Sequence, residues 1–209
     1  EDILPSDTSG ATIQKQVLDE LLDLIPNKDF KSDLELGSGS INNKKFYQKT
    51  LGIKDIYIND LIDAKFINLP GNMLEVDFPK VDLCVSSSAI HWLEEDMDEL
   101  FDKVYNSLNE DGLFVFSIYT KGNVCEVENI INNLCYYSNG EIFDKLIGKF
   151  NVEQNLIGEK IKDFDTTIEL LREFKNTGTT IGGASVSDIK NFKENRLTYK
   201  YSIFVCSRG

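Results

Sequence analysis

Short apolar runs alternate with amphipathic helical stretches through the first two thirds of this chain of 209 residues. Apolar runs predict strands over residues 33–36, 54–58, 81–86 and 113–119. Apolar residues at helical spacing predict helices over 12–25, 44–51 and 94–108. Buried strands separated by helices are typical of parallel sheets. The pattern therefore predicts an α/β fold with a sheet that is covered on both faces.

The last third of the chain has a less regular pattern. It predicts helices over 123–134 and 141–146, a strand over 150–161 with a kink at Gly158, a helix after Thr166 in a capping box with Glu169, and a final strand over 197–206. We expect one domain over residues 1–209, with a small lobe that faces the substrate at about 120–180.

One connection is too short for the predicted topology. The strand over 54–58 is followed by a candidate strand at about 65–69. Parallel neighbours need a crossover of roughly a dozen residues or more, which is usually a helix. Either this helix is absent or residues are missing from the sequence.

The charge balance excludes several classes of protein. The chain has 22 Lys and Arg against 35 Asp and Glu, a net charge of −13. Nucleic acids and anionic membranes require a basic surface, so we expect neither as a partner.

No apolar stretch approaches the roughly 20 residues of a membrane span, and no signal-peptide pattern is visible. We expect a cytoplasmic monomer. The last third is slightly basic, which reflects either solvated faces or a docking surface for an acidic partner.

The metal-binding and redox residue types are few. The four cysteines, Cys84, Cys125, Cys135 and Cys206, form no C-x-x-C pair. This spacing favours free thiols in a reducing compartment. His91 is the single histidine, which excludes zinc sites with two or more histidines. We expect no metal site.

A glycine turn follows the first predicted strand and carries the clearest chemical signal. Gly37-Ser38-Gly39 follows Glu35, and Asp60 ends the second strand. Such glycines let the backbone approach a ligand at the carboxyl end of a sheet, where an acid on the next strand can accept both hydroxyls of a ribose. Asn42 occupies the third glycine position of a dinucleotide motif, and no Gly-Lys-Ser/Thr follows. The sequence therefore predicts a nucleoside ligand without a pyrophosphate.

This pattern resembles the class I S-adenosylmethionine-dependent methyltransferases. The resemblance implies a Rossmann-like fold: a mostly parallel seven-stranded sheet with helices on both faces and a small inserted lobe. It also implies the residues that contact S-adenosylmethionine: Glu35, Gly37, Ser38 and Gly39 around the methionine, Asp60 at the ribose, Leu61, Asn72 and Met73 near the adenine, and Ser86 and Ser87 at the end of the fourth strand. Asn72 stands where the family has an acid.

A closer resemblance, to the malonyl-acyl-carrier-protein methyltransferases of biotin synthesis, covers most of the chain. The segments that carry it are Ala11–Gln14, Ser86–Trp92, Leu170–Gly178 and Leu197–Tyr201. His91 replaces a glutamine of that family, and the Tyr-Asp pair that precedes Ala-x-x-Gln is missing.

The closer resemblance implies an O-methyltransferase that converts malonyl-acyl-carrier-protein to its methyl ester in the early biotin pathway. A malonyl carboxylate is already ionised, so no catalytic base is expected. The expected substrate-binding residues are His91 and Trp92, Arg172 on the malonyl carboxylate, and Lys175 and Lys200, one or the other of which meets the acyl carrier protein.

Several alternatives remain open at this point. The chain could methylate another small carboxylic acid or a quinone precursor, or it could be a binding protein that keeps the methyltransferase fold without catalysis. Arg172 could be a solvated helix residue, and Trp92 could serve packing alone. A serine nucleophile among Ser86–Ser88 is disfavoured because the G-x-S-x-G elbow is absent.

Overall fold

The fold is described from a computed structural model of the chain. The structure describes residues 9–39, 42–62, 64–128, 130, 136–176 and 192–208, and it leaves the side chains at 9–12 and 173–176 undescribed. The helices are α1 (Ser9–Asp23), α2 (Lys44–Thr50), α3 (Met97–Ser107), α4 (Asn139–Leu146) and α5 (Thr167–Asn176). The strands are β1 (Ser32–Leu36), β2 (Asp55–Asp60), β3 (Leu69–Pro70), β4 (Val81–Ser87), β5 (Leu108–Tyr119), β6 (Phe150–Asp163) and β7 (Arg196–Arg208).

The strands form one seven-stranded sheet in the order β3-β2-β1-β4-β5-β7-β6. The first five strands in chain order are parallel to one another, and β7 runs antiparallel to both β5 and β6. β1 lies inside the sheet between β2 and β4 and is buried along its whole length. Since the chain reverses its direction of travel across the sheet at β1 and β4, their carboxyl ends form the crevice where such folds bind ligands.

Helices cover both faces of the sheet, as the sequence predicts. On one face, Val17 and Leu21 of α1 belong to the same buried cluster as Val85 of β4. On the other face, Leu100 of α3 belongs to a cluster with Leu34 of β1. Successive strand residues point to opposite faces, so β4 and β5 contribute to both clusters, whereas β1 contributes Leu34 and Leu36 to the second cluster alone.

The connection from β2 to β3 contains no helix among its described residues. Asn68 extends the sheet edge with its side chain: its Oδ1 accepts from the Ile58 N–H at 2.6 Å, and its Nδ2 donates to the Ile56 carbonyl at 2.8 Å. The Asn68 side chain thus makes hydrogen bonds that the backbone of a neighbouring strand would otherwise make.

Three local predictions were wrong. Residues 123–128 form a short 3-10 turn at Cys125–Val127 rather than an α-helix, and 131–134 lie outside the described residues. β5 begins at Leu108, because the chain re-enters the sheet through a register shift before the expected start. Gly158 makes no kink: β6 shifts register between Val152 and Gln154 instead.

Gly158 has a packing role. It lies opposite Tyr201 in the β6–β7 ladder. A Cβ on this residue would lie 2.2 Å from the Tyr201 Cζ, so the tyrosine ring occupies the space that any larger residue would need. The glycine therefore admits an aromatic side chain across two antiparallel strands.

The predicted lobe is connected closely to the sheet. The Val124 N–H donates to the Thr198 carbonyl at 2.7 Å, and the Lys200 N–H donates to the Asn123 Oδ1 at 3.2 Å. Within the range 120–180, β6 is itself a strand of the main sheet. The division into a domain and a lobe stays a prediction.

Basic side chains of the last third of the chain lie beside acids. The pairs are Lys145–Asp98, Lys149–Asp102, Lys160–Glu20, Arg196–Asp163 and Lys200–Glu159. Much of the positive charge that suggested a docking surface is therefore neutralised within the fold.

Cys84, Cys125 and Cys206 are free thiols, and Cys135 lies outside the described residues. None of the described helices is long and apolar enough to cross a membrane.

Candidate active site

The glycine turn after β1 is fixed by the loops on either side of it. Gly37 has φ +66° and Gly39 has φ +60°, both in the left-handed region that favours glycine. The N–H groups of Gly37 and Ser38 donate to the Asn59 carbonyl at 3.0 and 3.3 Å. A Cβ on Gly37 would lie 2.4 Å from the Ala89 Cβ, so this position excludes every other residue type. The turn therefore lies tightly between the end of β2 and the loop after β4.

The acid at the end of β2 contacts this turn directly. The Asp60 Oδ2 accepts from the Gly39 N–H at 2.7 Å, and its Oδ1 accepts from the Ile62 N–H at 3.0 Å. The two parts of the predicted nucleoside site therefore meet in the structure. An ionised carboxylate has about four lone-pair positions, so Asp60 retains capacity for further donors. The neighbouring Leu61 has 77% of its surface exposed, as an apolar contact for a ligand base requires.

Sequence reasoning missed Asn59, which organises the loops around the turn. Its buried side-chain Nδ2 donates to the carbonyls of Leu69 and Gly71 at 2.7 and 3.0 Å. One residue thus joins the glycine turn, through its backbone, to β3 and the loop that follows. The sequence signal that could have identified Asn59 is a polar residue next to the end of a buried strand.

Asn72 and Met73 differ in how they relate to the turn. The Asn72 Oδ1 accepts from the Leu74 N–H at 3.0 Å, within its own local turn. The Met73 Cε lies 3.5 Å from the position that a Cβ on Gly37 would take. Met73 therefore packs against the glycine turn, whereas the side-chain oxygen of Asn72 is already engaged.

The predicted serines shape the end of β4. The buried Ser86 Oγ donates to the Leu36 carbonyl at 3.0 Å, which joins β4 to the last residue of β1. The Ser87 and Ser117 hydroxyls lie 3.2 Å apart, and the Ser88 N–H donates to the Ser117 Oγ at 3.0 Å. The structure thus gives Ser86 a structural bond within the sheet. A role of Ser86 and Ser87 at the cofactor stays a prediction.

Two acids of β1 lie buried beneath the turn. Asp33 has no exposed surface, and Glu35 is 3% exposed. The Glu35 Oε1 accepts from the Asn43 Nδ2 of the residue before α2, at 2.6 Å. Burial raises the pKa of Asp33 well above its usual value and raises the pKa of Glu35 to about 7. Sequence reasoning identified Glu35 and missed Asp33.

Aromatic rings surround His91 after β4. The His91 ring centroid lies 4.9 Å from that of Trp92, 5.1 Å from Tyr119 and 5.9 Å from Tyr136. Burial lowers the pKa of His91 to about 3, so the imidazole is neutral at physiological pH. Its Nδ1 is buried with no hydrogen-bond partner among the described residues. The site is suited to packing and hydrogen bonding rather than to proton abstraction.

The other predicted substrate residues have partly or largely exposed side chains where the structure describes them. Arg172 is exposed on α5, and Trp92 has 60% of its surface exposed. Lys200 lies on β7, with its Nζ 3.9 Å from a carboxylate oxygen of Glu159. The side chain of Lys175 lies outside the described residues. No described contact joins Arg172 to the glycine turn or to His91.

The site at the turn fits an adenosyl nucleoside. A Cβ on Gly39 would meet nothing within 4 Å, so the turn faces open space on this side. The buried Glu35 Oε2 and Ser38 Oγ have no hydrogen-bond partner among the described residues. Unpartnered polar atoms beside an open turn are those that a polar ligand can satisfy. Among the described residues, no group of three or more His, Cys, Asp or Glu side chains could hold a metal ion.

Known structures share this fold. YcgJ protein from Bacillus subtilis covers 93% of this chain with a TM-score of 0.69 at 12% identity, and 98% of its own chain is covered. A geranyl diphosphate methyltransferase in complex with SAM covers 99% of this chain with a TM-score of 0.61 at 15% identity, with 93% of that chain covered. The similarity confirms the predicted Rossmann-like class I methyltransferase fold.

Curated relatives match most of the chain. A malonyl-[acyl-carrier protein] O-methyltransferase of Calditerrivibrio nitroreducens is 26% identical over 186 residues, 84% of this chain and 76% of the relative. One of Bacteroides fragilis is 25% identical over 81% of this chain, which spans 38% of its length. Six further relatives carry the same name. No family model matches the chain.

Proposed function

We propose that this chain, which has the class I methyltransferase fold, is an S-adenosylmethionine-dependent malonyl-acyl-carrier-protein O-methyltransferase that acts early in biotin synthesis. The similarity to the Calditerrivibrio nitroreducens relative, 26% identity over 84% of the chain, carries this proposal. It agrees with the resemblance of Ser86–Trp92 and Leu170–Gly178 to the same family.

The glycine turn and Asp60 support the choice of cofactor. Bound S-adenosylmethionine supplies a methyl group on a sulfonium, which is an electrophile without further activation. The turn at 37–39 holds the methionine end, and Asp60 accepts the ribose hydroxyls while it keeps its bond to the Gly39 N–H. Leu61 and Met73 provide apolar contacts for the adenine. Asn72 hydrogen-bonds the adenine amine if its local turn opens.

The chain needs no base for this reaction. A malonyl carboxylate is ionised at neutral pH. It would attack the methyl carbon as the bond from that carbon to sulfur breaks, with S-adenosylhomocysteine as the leaving group. The protein must orient the two reactants and exclude water, and orientation alone lowers such a barrier by on the order of 7–11 kcal/mol. The aromatic group of His91, Tyr119 and Tyr136 supplies an apolar wall at the end of the central strands. The neutral His91 offers one hydrogen bond without taking the proton.

Arg172 is the residue that we assign to the malonyl carboxylate. Its guanidinium is exposed on α5, and a planar fork of donors matches a carboxylate in two parallel bonds. Lys175 and Lys200 are assigned to the acyl carrier protein, and Trp92 to its thioester arm. Since Lys200 lies beside Glu159, its contact with a carrier would compete with this acid.

A methyl-transfer assay tests the proposed function. The chain is incubated with S-adenosylmethionine and malonyl-acyl-carrier-protein, and in parallel with acetyl-acyl-carrier-protein, free malonate and quinone precursors, and the products are identified by mass spectrometry. We expect a methyl ester on the malonyl carrier alone. Preferential methylation of a free acid or a quinone precursor would contradict the proposal, and so would binding of S-adenosylhomocysteine without transfer to any substrate.

A pair of variants tests the role of Arg172. We expect Arg172→Ala to abolish transfer to the malonyl carrier without changing the affinity for S-adenosylhomocysteine. Lys193→Ala removes another exposed positive charge of the last third of the chain and serves as the control. Equal activity of both variants would show that Arg172 is a solvated helix residue.

We also propose that the chain acts as a cytoplasmic monomer that binds neither nucleic acid nor membranes. The net charge of −13 supports this, because both surfaces attract basic proteins. The buried free thiols of Cys84 and Cys206 are typical of a reducing compartment. Light scattering tests the oligomeric state, and a dimer mass would contradict it.

A further inference from the structure

Two carboxyl side chains share one face of the central strand. Asp33 and Glu35 are alternate residues of β1, so they point to the same side, roughly 7 Å apart along the strand. Both neighbouring strands pair with β1 along this stretch, and both acids are buried. Neither acid can reach water by turning its side chain toward a sheet edge.

The surroundings of these acids provide little that would stabilise negative charge. Neither oxygen of Asp33 has a hydrogen-bond partner among the described residues. Glu35 accepts from the Asn43 amide, and the nearby Tyr47 hydroxyl also favours its charged form. Tyr47 on α2 lies fully buried beside them. The helix that covers this face, α1, contributes apolar side chains such as Val17 and Leu21 to the cluster. Ionising a carboxyl here costs several kcal/mol of solvation energy unless a partner compensates.

The titratable groups that act on the pair are few and are acids themselves. They are Asp60 at the end of β2, Tyr47 on α2 and Cys84 on β4. No described lysine or arginine forms an ion pair with either carboxyl. A cation that arrives at the glycine turn would therefore be the first positive charge close to Glu35.

We propose that Glu35 holds a proton in the free protein and releases it when the cofactor binds, while Asp33 stays protonated throughout. This inference rests on the proposed function, since it requires a ligand whose methionine end carries an ammonium group. The proton leaves the Glu35 carboxyl for solvent, and the carboxylate that forms faces the ammonium. Cofactor affinity then depends on pH near neutrality, which makes Glu35 a proton-linked binding residue.

The sign of this dependence follows from linkage. Burial raises the pKa of Glu35 to about 7, so the free protein is partly protonated there at neutral pH. A bound cation favours the ionised form, so binding releases about half a proton at pH 7 and close to one at pH 6. The affinity for S-adenosylhomocysteine should be about eightfold weaker at pH 6 than at pH 7.5. We assign no change to Asp33, because burial raises its pKa well above the usual value and neither of its oxygens has a hydrogen-bond partner among the described residues.

Calorimetry with the whole chain measures the released protons. Binding of S-adenosylhomocysteine is titrated at pH 6, 7 and 8 in pairs of buffers with different ionisation enthalpies. We expect a release that falls as the pH rises in the unmodified protein, no release in Glu35→Gln, and an unchanged release in Asp33→Asn. The two variants are matched, because each replaces a buried acid of β1 by its amide.

A second measurement covers the case in which Glu35→Gln binds too weakly or does not fold. Infrared difference spectra of the unmodified protein record the carbonyl band of a protonated carboxyl, and we expect part of it to disappear when the ligand is added at pH 6.5. Binding without proton release would overturn this inference and leave the proposed function intact. Release that persists in Glu35→Gln but vanishes in Asp33→Asn would overturn the assignment to Glu35. Absence of binding to the unmodified protein would overturn both.

Discussion

The two sides of the carboxyl edge of the sheet are built in different ways. At β1 and β2, the glycine turn is held by backbone groups and by buried side chains such as Asn59. At β6 and β7, apolar and charged side chains lie on the surface: Ile157 has 68% of its surface exposed and Ile161 has 53%. The first side is shaped before any ligand arrives. The second side has exposed side chains that a partner could contact.

This difference suggests how the two proposed ligands are recognised. A small nucleoside is bound by fixed backbone geometry, which loses little entropy on binding. A carrier protein is bound by exposed side chains, of which those in mutual ion pairs contribute little net attraction. The pairs Arg196–Asp163 and Lys200–Glu159 lie on this second side. The following predictions test whether the two sides are energetically separate.

The largest effect is expected at Gly37. Gly37→Ala places a Cβ 2.4 Å from that of Ala89 at a φ of +66°. Overpacking and the left-handed conformation together should lower the free energy of unfolding by about 3 kcal/mol. Urea unfolding and titration with S-adenosylhomocysteine measure the change, and both stability and binding should suffer. Gly39→Ala is the control: it has a similar φ but meets nothing within 4 Å, so about 1 kcal/mol is expected. Equal losses would mean that contact with Ala89 does not restrict the turn.

A packing change on the other side should lower stability without affecting the cofactor. Gly158→Ala forces the Tyr201 ring to move, because the new Cβ would lie 2.2 Å from its Cζ. We expect a loss of about 2 kcal/mol in the free energy of unfolding. The affinity for S-adenosylhomocysteine should stay within twofold. A clearly weaker affinity, measured under conditions in which the variant is fully folded, would contradict the separation of the two sides.

Asp60→Asn should weaken the cofactor without unfolding the chain. The amide oxygen can still accept from the Gly39 N–H, which the carboxylate binds at 2.7 Å. A charged acceptor exceeds a neutral one by on the order of 1.4 kcal/mol, so the Kd for S-adenosylhomocysteine should rise about tenfold. Calorimetry measures the Kd, and denaturant unfolding checks that stability is retained. An unchanged Kd would remove Asp60 from the ribose site.

The smallest effect concerns Glu20, which connects α1 to β6 and β7. Burial tends to raise the pKa of Glu20, but hydrogen bonds from Lys160 and Tyr201 outweigh it and hold the pKa below its usual value. The unfolded chain then binds the proton more readily, so this contribution to stability is present above about pH 4.3 and is lost as the pH falls further. Glu20→Gln should cost less than about 1 kcal/mol at pH 7. The difference from the unmodified protein should shrink in unfolding measurements as the pH falls below this value.

The sequence predicted those parts of the molecule in which interacting residues follow a local pattern. The glycine turn, its acid Glu35 and the acid Asp60 all follow from short motifs at strand ends, and the structure brings Gly39 and Asp60 together. The start of α5 after Thr166 was also predicted. The Thr166 Oγ1 accepts from the Glu169 N–H at 3.3 Å. Each of these depends on residues close in sequence or on one strand-end rule.

Other parts depend on residues that are distant in sequence. His91, Tyr119 and Tyr136 come from three segments and become neighbours only when the sheet forms. Asn68 replaces strand bonds by its side chain, which no periodicity can indicate. Asp33 is a fully buried acid within a strand. A search for patterns of apolar residues does not identify such a position. In these places the tertiary structure determines the role of the residue.

A crystal structure of the chain with S-adenosylhomocysteine tests the central claim most directly. The account predicts the ligand at the carboxyl ends of β1 and β2, with the ribose hydroxyls on the Asp60 carboxylate and the methionine end against the turn at 37–39. Electron density for the nucleoside elsewhere, or a turn closed by side chains in crystals grown at millimolar ligand, would contradict it.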